Sequence, residues 1–426
     1  MLKVIYKGGY FGEEEIMEGV IDKFLDYGVK EGSLVACILN SPMKIISVWL
    51  AILKIKAIPV FIPGYFSAHM LEGIRKNLRV DFTVEEINDD LIINYNNNSI
   101  LKVEPNSIIF ASSASTGEPK LIMKTKEKLD AEFERYREAL DLKSTDVFLS
   151  MVPLYHAYGF MCSLYTAQKL GATVVVPHTL FPRGIISLLK KHNVTIIYGV
   201  PELYQKLLLL DVSTLPDSLR YAFSSSAPVS NELLLEFRKK FHFSLTQQYG
   251  STETGSVAIS KSDDLKNEFS MSFRNIEYKL ELFGQEEELY EILIDSKDTI
   301  GTYIFNNKLQ YIEPGIYRTS DYGQCVDGKL IISGRIKDIV NIAGRKISKK
   351  YMESVMKKYP YLIFAKIEDE SNGLSCRYKL YDKEKIMEFK EFCKKELPSF
   401  SMPQKFIWMD DLENILTWKE GIKWGI

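Results

Sequence analysis

Apolar runs and amphipathic stretches alternate from the start of the chain. Ser33 to Leu39 is almost wholly apolar, Pro42 to Lys54 carries apolar residues at helical spacing, and Ile58 to Ile62 is apolar again. A short apolar run bounded by turn residues predicts a buried strand, whereas recurrence every three to four residues predicts a helix. Strand, helix and strand in that order predict parallel pairing through a crossover helix. Further along, Ile108 to Ala111 reads as a buried strand and Lys126 to Leu140 as a charged amphipathic helix. Val147 to Val152, Thr173 to Val176, Thr195 to Tyr198 and Leu219 to Phe223 read as short strands with helical patterns between them. The alternation predicts a large, doubly wound α/β body.

From about Ile276 the spacing changes to short alternating segments with turns, among them Tyr290 to Ile294 and Gly328 to Ile332. A small β-rich subdomain is expected over about 276–334, completing an N-terminal core of 1–334. Beyond Gly334 and Arg335, two Lys-rich helices, near Lys349 to Lys358 and Lys383 to Leu397, suit a small α+β domain over 335–426. There is no internal repeat, and Asn96-Asn97-Asn98 reads as a loop tip.

Composition narrows the function. A chain of 426 residues exceeds one compact core, so two or more domains are expected. Hydrophobic residues at 46% and charged residues at 26% are ordinary for a globular protein in water. A net charge of −2 supplies no general attraction to nucleic acid or an anionic membrane, so no nucleic-acid partner is expected. The five Cys are odd in number and never in C-x-x-C spacing, which suggests reduced thiols in a cytoplasm and no zinc site. Residues 1–30 lack a signal-peptide core. The longest uncharged run, Val147 to Gln168, is broken by Pro153, His156 and Gly159 and reads as strand, loop and helix, with no transmembrane segment.

The chemistry concentrates first at Ser112-Ser113-Ala114-Ser115-Thr116-Gly117-Glu118-Pro119-Lys120. A strand opening into small hydroxyl residues, a Gly and a Lys makes a loop able to hold phosphates. Small side chains let the backbone approach, N–H groups and hydroxyls donate to phosphate oxygens, and the Lys adds a point charge. Ser112, Ser113, Ser115, Thr116, Gly117 and Lys120 are the candidate ligands. The spacing is not that of a Walker loop. Downstream, Gln248-Tyr249-Gly250-Ser251-Thr252-Glu253 offers Thr252 as a donor to a phosphate oxygen. Glu253 is the candidate metal ligand, since Mg²⁺ takes a carboxylate together with phosphate oxygens.

In order along the chain these segments resemble those of the adenylate-forming enzymes, the family of acyl-CoA synthetases, peptide-synthetase adenylation domains and luciferases. Ser112 to Lys120 is close to its T-S-G-S/T-T-G-x-P-K loop, and Pro153-Leu154-Tyr155-His156-Ala157-Tyr158-Gly159 to P-L/M-F/Y-H-x-x-G. Gln248 to Glu253 resembles Y-G-x-T-E, and Ser224 to Pro228 resembles the G-G-A-P segment. Tyr317 to Asp321 resembles Y/W-x-T-G-D, and Gly334 to Asp338 resembles G-R-x-D/K-D. The likeness runs from about Gly32 to the C-terminus.

The resemblance implies that His156 gates the substrate carboxylate and α-phosphate, that Tyr249 stacks on adenine beside Gly250, and that the backbone of Ser225, Ser226 and Ala227 lines the adenine. It implies that Asp321 accepts the ribose hydroxyls, that Arg335 reaches ribose or phosphates, and that Lys337 is the hinge of a mobile C-terminal domain. The family's final motif, P-x-T-x-x-G-K-x-x-R, carries a catalytic Lys; Lys423 is the first choice here and Lys419 the second. Several residues depart from the pattern: Ala114, Ser225, Ser226 and Ser320 stand where Gly is usual, Asn341 where Lys is usual, and the N-terminus is shorter than in typical members.

The activity so implied is ATP- and Mg²⁺-dependent conversion of a carboxylic acid to an acyl-adenylate, then transfer to a thiol with release of pyrophosphate and AMP. Segment 153–159 has no Asp to pair an amino-acid ammonium, which disfavours amino acids and leaves an aryl or fatty acid as substrate. The acceptor is CoA or the phosphopantetheine of a free-standing acyl or aryl carrier protein, since the chain ends just past the last motif. A nucleotide- or acyl-binding relative with degraded catalysis, and an adenylating ligase with an amine acceptor, remain as alternatives.

Overall fold

The computed structural model describes residues 1–96, 99–112, 119–261, 268–282, 290–296, 298–312, 315–342, 345–370 and 373–410. The predicted β-α-β unit forms. Strands Leu34–Leu39 and Ile58–Pro63 pair in parallel, with Leu34 opposite Ile58. Between them runs helix Pro42–Ile55, started by Pro at its first position and closed by Lys56 in the left-handed region. Ile45 to Ile52 are all buried, so this helix is enclosed on every side.

The strands extend into an eight-stranded sheet. Its order is Lys308–Gln310, Thr302–Phe305, Lys120–Lys124, Ile108–Ser112, Ile58–Pro63, Leu34–Leu39, Phe82–Ile87 and Asp90–Tyr95. A second, nine-stranded sheet runs Met271–Ser272, Gly255–Ile259, Thr246–Ser251, Tyr221–Ser224, Ile196–Gly199, Val147–Ser150, Thr173–Val176, Lys3–Tyr6 and Gly9–Gly12. Its centre, from Thr246–Ser251 to Lys3–Tyr6, is parallel throughout. Such strands are covered on both faces and read as near-continuous apolar runs, which is why the short segments were legible. Lys3–Tyr6, pairing with Thr173–Val176, was not: its apolar run is only Val4 to Tyr6, flanked by Lys3 and Lys7.

The stretch expected to be β-rich contains Glu277–Leu282, Tyr290–Asp295, Ile316–Val326 and Lys329–Arg335, which with Glu268–Phe269 form a five-stranded sheet. By contact density the chain divides into two compact units. One comprises Met1–Lys279, Leu293–Arg318 and Cys325–Ile331; the other comprises Leu280–Ile292, Thr319–Gln324 and Ile332–Ile426. In the second unit the strands Leu362–Glu370, Gly373–Leu380 and Lys405–Trp408 form a small sheet beside helices Lys349–Met356 and Ile386–Glu396. Met352, Met356, Cys376, Tyr378, Phe389 and Cys393 make its core. The first of these helices begins where Ser348 accepts from the Tyr351 N–H. No described helix is long and apolar enough to cross a membrane.

Helix Lys126–Leu140 has the expected bounds but an unexpected inner face. Glu132 and Arg135 are buried with Leu129, Phe133, Tyr136 and Leu140. Lys124 Nζ lies 3.0 Å from Glu132 Oε2, with both side chains almost wholly buried. Lys124→Met leaves that carboxylate without its cation and is expected to destabilise the protein by about 3–5 kcal/mol. Lys124→Met combined with Glu132→Leu recovers part of the loss, the remainder reflecting the Ser256 N–H left without its Glu132 acceptor. Urea denaturation of the three proteins measures both.

Candidate active site

The strands on either side of the predicted phosphate loop form and pair. Ser112 ends strand Ile108–Ser112, Lys120 begins the antiparallel strand Lys120–Lys124, and the two residues face each other in register. The loop therefore leaves the carboxyl end of a strand that pairs in parallel with Ile58–Pro63, the end at which open α/β sheets take ligands. Ser113, Ser115, Thr116 and Gly117 lie outside the described residues. Lys120 is exposed, its Nζ 5.6 Å from the centre of the Tyr303 ring.

Glu253 sits in the turn between antiparallel strands Thr246–Ser251 and Gly255–Ile259, just past a bulge at Tyr249 and Gly250. A Cβ on Gly250 would come within 2.3 Å of the Gly255 carbonyl oxygen, so only Gly permits this crossing. Gly255 has φ +72°, and a Cβ there would meet the Glu132 carboxylate. The Glu253 side chain is buried, and Tyr303 donates its hydroxyl to Oε1 at 3.2 Å. The Tyr317 hydroxyl interacts with both Glu253 and Tyr303. Burial, then the Glu253 charge, pushes Tyr303 up to about 12, so it stays a donor at neutral pH. Thr252 is half-buried; Tyr249 is half-buried with its ring 5.7 Å from that of Phe269.

Beneath this turn, Gln248 accepts from the Tyr136 hydroxyl at 3.0 Å and donates to Ser256 Oγ at 2.8 Å. The Ser256 N–H donates to Glu132 Oε1 at 3.0 Å. Gln248, Glu132 and Tyr303 escaped the sequence reading. Gln248 abuts a legible motif, but nothing local marks the other two.

The segment Ser224 to Pro228 follows the carboxyl end of strand Tyr221–Ser224, and Ser225 Oγ donates to the Gln248 carbonyl at 2.8 Å. Ala227 is half-buried and Ser226 exposed. Segment 153–159 likewise follows strand Val147–Ser150. The His156 ring packs 4.8 Å from Tyr155 and 6.5 Å from Tyr65. A Cβ on Gly159 would lie 2.4 Å from the Pro153 carbonyl oxygen, which explains the Gly that closes the segment.

In the second unit, Asp321 is buried with Oδ1 2.6 Å from Arg335 Nε. Arg335 also donates to the Thr319 carbonyl at 3.3 Å. The Asp321 N–H donates to Thr319 Oγ1 at 2.9 Å, and that hydroxyl donates to the Ile292 carbonyl at 2.6 Å. The sequence assigned Asp321 and Arg335 separately to the nucleotide; the structure shows them paired to each other. Lys337 is exposed in a short 3-10 turn, Ile336–Asp338. Lys419 and Lys423 lie outside the described residues.

Among the described residues no cluster of three or more His, Cys, Asp or Glu could hold a metal by itself. One buried carboxylate with hydroxyl donors beside it fits Mg²⁺ arriving with phosphate oxygens, as this ion keeps few protein ligands.

Residues 94–288, just under half of the chain, match the model of the AMP-binding enzyme family. A 3,4-dihydroxybenzoate–(aryl-carrier protein) ligase of Bacillus anthracis is 25% identical over 339 residues, 78% of this chain and 74% of the relative. A 2-succinylbenzoate–CoA ligase of Bacillus subtilis is 27% identical over 370 residues, 82% of this chain and 73% of the relative. Among solved structures, o-succinylbenzoate CoA synthetase of Bacillus subtilis with its acyl-adenylate intermediate superposes with a TM-score of 0.82 at 19% identity, over 96% of this chain and 91% of that one. ATP-bound MatB of Rhodopseudomonas palustris gives 0.79 at 17% identity, over 98% and 95%. These two show the fold. The family match and the curated relatives liken the chain to the adenylate-forming, AMP-binding enzymes.

Two predictions follow from local backbone and burial. Ser226 and Ser320, both where the family has Gly, keep left-handed backbones with φ +69° and +57°. Ser226→Gly and Ser320→Gly are each expected to stabilise by up to about 1 kcal/mol, read as a raised urea midpoint at unchanged slope. Desolvation drives the His156 imidazole from its ordinary 6.5 down to about 4. Between those values the unfolded chain binds a proton that the folded one refuses. Stability is therefore complete above about 6.5 and falls as pH drops toward about 4. His156→Gln should lose less stability than the wild type between pH 7 and 5, measured by denaturation at each pH.

Proposed function

We propose that this chain activates an aryl carboxylic acid with ATP and Mg²⁺ and passes the acyl group to a thiol. The observation that carries the reading is the strand pair meeting at Ser112 and Lys120, with Tyr303 between Lys120 and the buried Glu253 carboxylate. The loop and Lys120 bind the phosphates, Thr252 donates to one of their oxygens, and Tyr249 with the 225–227 backbone takes the adenine. Asp321 and Arg335 bind the ribose. Glu253 would hold Mg²⁺, which would supply positive charge to offset that of the leaving pyrophosphate. His156, neutral through the physiological range, lies beside the carboxylate without repelling or protonating it. The substrate carboxylate oxygen bonds to the α-phosphorus as the bond to pyrophosphate breaks, with Lys423 stabilising the developing charge. The thiolate then attacks the acyl carbon and AMP leaves.

The aryl preference is supported by the Tyr65 and Tyr155 rings around His156 and by the acids in the relatives' names, dihydroxybenzoate and succinylbenzoate. Those names also give the two acceptor types, a carrier protein and CoA.

The test is acid-dependent pyrophosphate release across aryl and short-, medium- and long-chain fatty acids, with hydroxylamine trapping the adenylate. Aryl acids are expected to give the signal; release with fatty acids alone overturns the aryl reading, and silence throughout overturns the activity. Glu253→Gln should lower the kcat/KM of adenylation by roughly 10²–10³. Lys423→Ala should abolish adenylation yet spare thioester formation from a synthetic acyl-adenylate.

A further inference from the structure

Two groups that the proposed function uses separately are joined by one side chain. Tyr303 lies on strand Thr302–Phe305, which pairs antiparallel with Lys120–Lys124 so that Tyr303 stands opposite Ile122. Its ring centre is 5.6 Å from Lys120 Nζ, and its hydroxyl donates to Glu253 Oε1 at 3.2 Å. The start of the strand is fixed as well. Gly301 N–H donates to the Glu253 carbonyl at 2.7 Å. A Cβ at 301 would come within 2.5 Å of Ile122 Cγ2, so Gly is what lets this strand lie so close.

We propose that Tyr303 is a positioning residue for metal–nucleotide binding, orienting the Glu253 carboxylate through its hydroxyl and steadying Lys120 through its ring. This rests on the nucleotide-site reading above. A carboxylate on a glutamate side chain has rotational freedom; a charge-assisted hydrogen bond to one oxygen removes it and leaves the remaining lone pairs directed. An ammonium over an aromatic face is held without surrendering its N–H donors to a competing acceptor. The two effects are separable, because the hydroxyl reaches Glu253 and the ring faces Lys120.

The experiment is calorimetric titration of the full chain with ATP, in the presence and absence of Mg²⁺, for the wild type, Tyr303→Phe and Tyr303→Leu. Tyr303→Phe is expected to keep its affinity for metal-free ATP within about twofold and to lose about tenfold of the tightening that Mg²⁺ gives the wild type. Tyr303→Leu should lose that tightening and also bind metal-free ATP several-fold more weakly. If Tyr303→Leu fails to fold, Tyr303→Phe alone decides. Mg²⁺-dependent tightening in Tyr303→Phe equal to the wild type overturns the proposal. So does an equal weakening of both titrations, which is the mark of a purely structural residue. A wild type that binds no ATP, or binds it no better with Mg²⁺, overturns the nucleotide-site reading itself and the inference with it.

Discussion

An ammonium and a carboxylate buried together each forfeit several kcal/mol of hydration, and they persist only where the geometry compensates both. Lys124 and Glu132 meet that condition at the centre of the first unit. Lys124 belongs to the strand leaving the candidate phosphate loop, and Glu132 to the helix that follows it. One Glu132 oxygen takes Lys124, while the other takes the N–H of Ser256 beyond the turn that carries Glu253. Through Ser256 the network reaches Gln248, and through Gln248 the Tyr136 hydroxyl and back to the same helix. Strand Lys120–Lys124, helix and acidic turn are thereby locked by groups whose separation would leave charges unpaired.

The same helix holds the other wall. Arg135, also buried, donates to Ser296 and Thr299 hydroxyls at 3.0 and 3.2 Å and pairs with Asp298 at 2.8 Å. Lys128 donates to the Ile300 carbonyl at 2.6 Å. These bonds fix the segment that runs directly into Gly301 and Tyr303. One helix, by turning charged residues inward, positions both the turn bearing Glu253 and the strand bearing Tyr303. Phosphoryl-type transfers gain their rate largely from fixed charges placed in advance, so rigidity of this kind is what the proposed chemistry requires.

Departures from the family pattern read differently once backbone angles are known. Ser226 and Ser320 adopt the left-handed conformation that favours Gly, so each holds its turn at a local energetic cost. Asp321 is likewise fixed locally, its carboxylate held in place by Arg335.

The β-α-β start, the parallel centre of the nine-stranded sheet, helix Lys126–Leu140 and the α+β character of the second unit were legible because burial on both faces, or on one stripe, imprints apolar periodicity on sequence. The motif residues were legible for another reason. Phosphate binding and tight turns demand small residues, Gly and charge at fixed spacing within one short segment. The sequence by itself therefore determined the fold class and, through the family resemblance, located the segments carrying Lys120, His156, Glu253 and Asp321. Only the tertiary structure decided that Glu132 and Arg135 face inward, that Lys3–Tyr6 joins a sheet through Thr173–Val176, and that Tyr303 links Lys120 to Glu253. Those are contacts between residues far apart in the chain. A charged residue on a helix or a lone Tyr on a short strand bears no local mark of its partner, so only the packing reveals which carboxylate it meets.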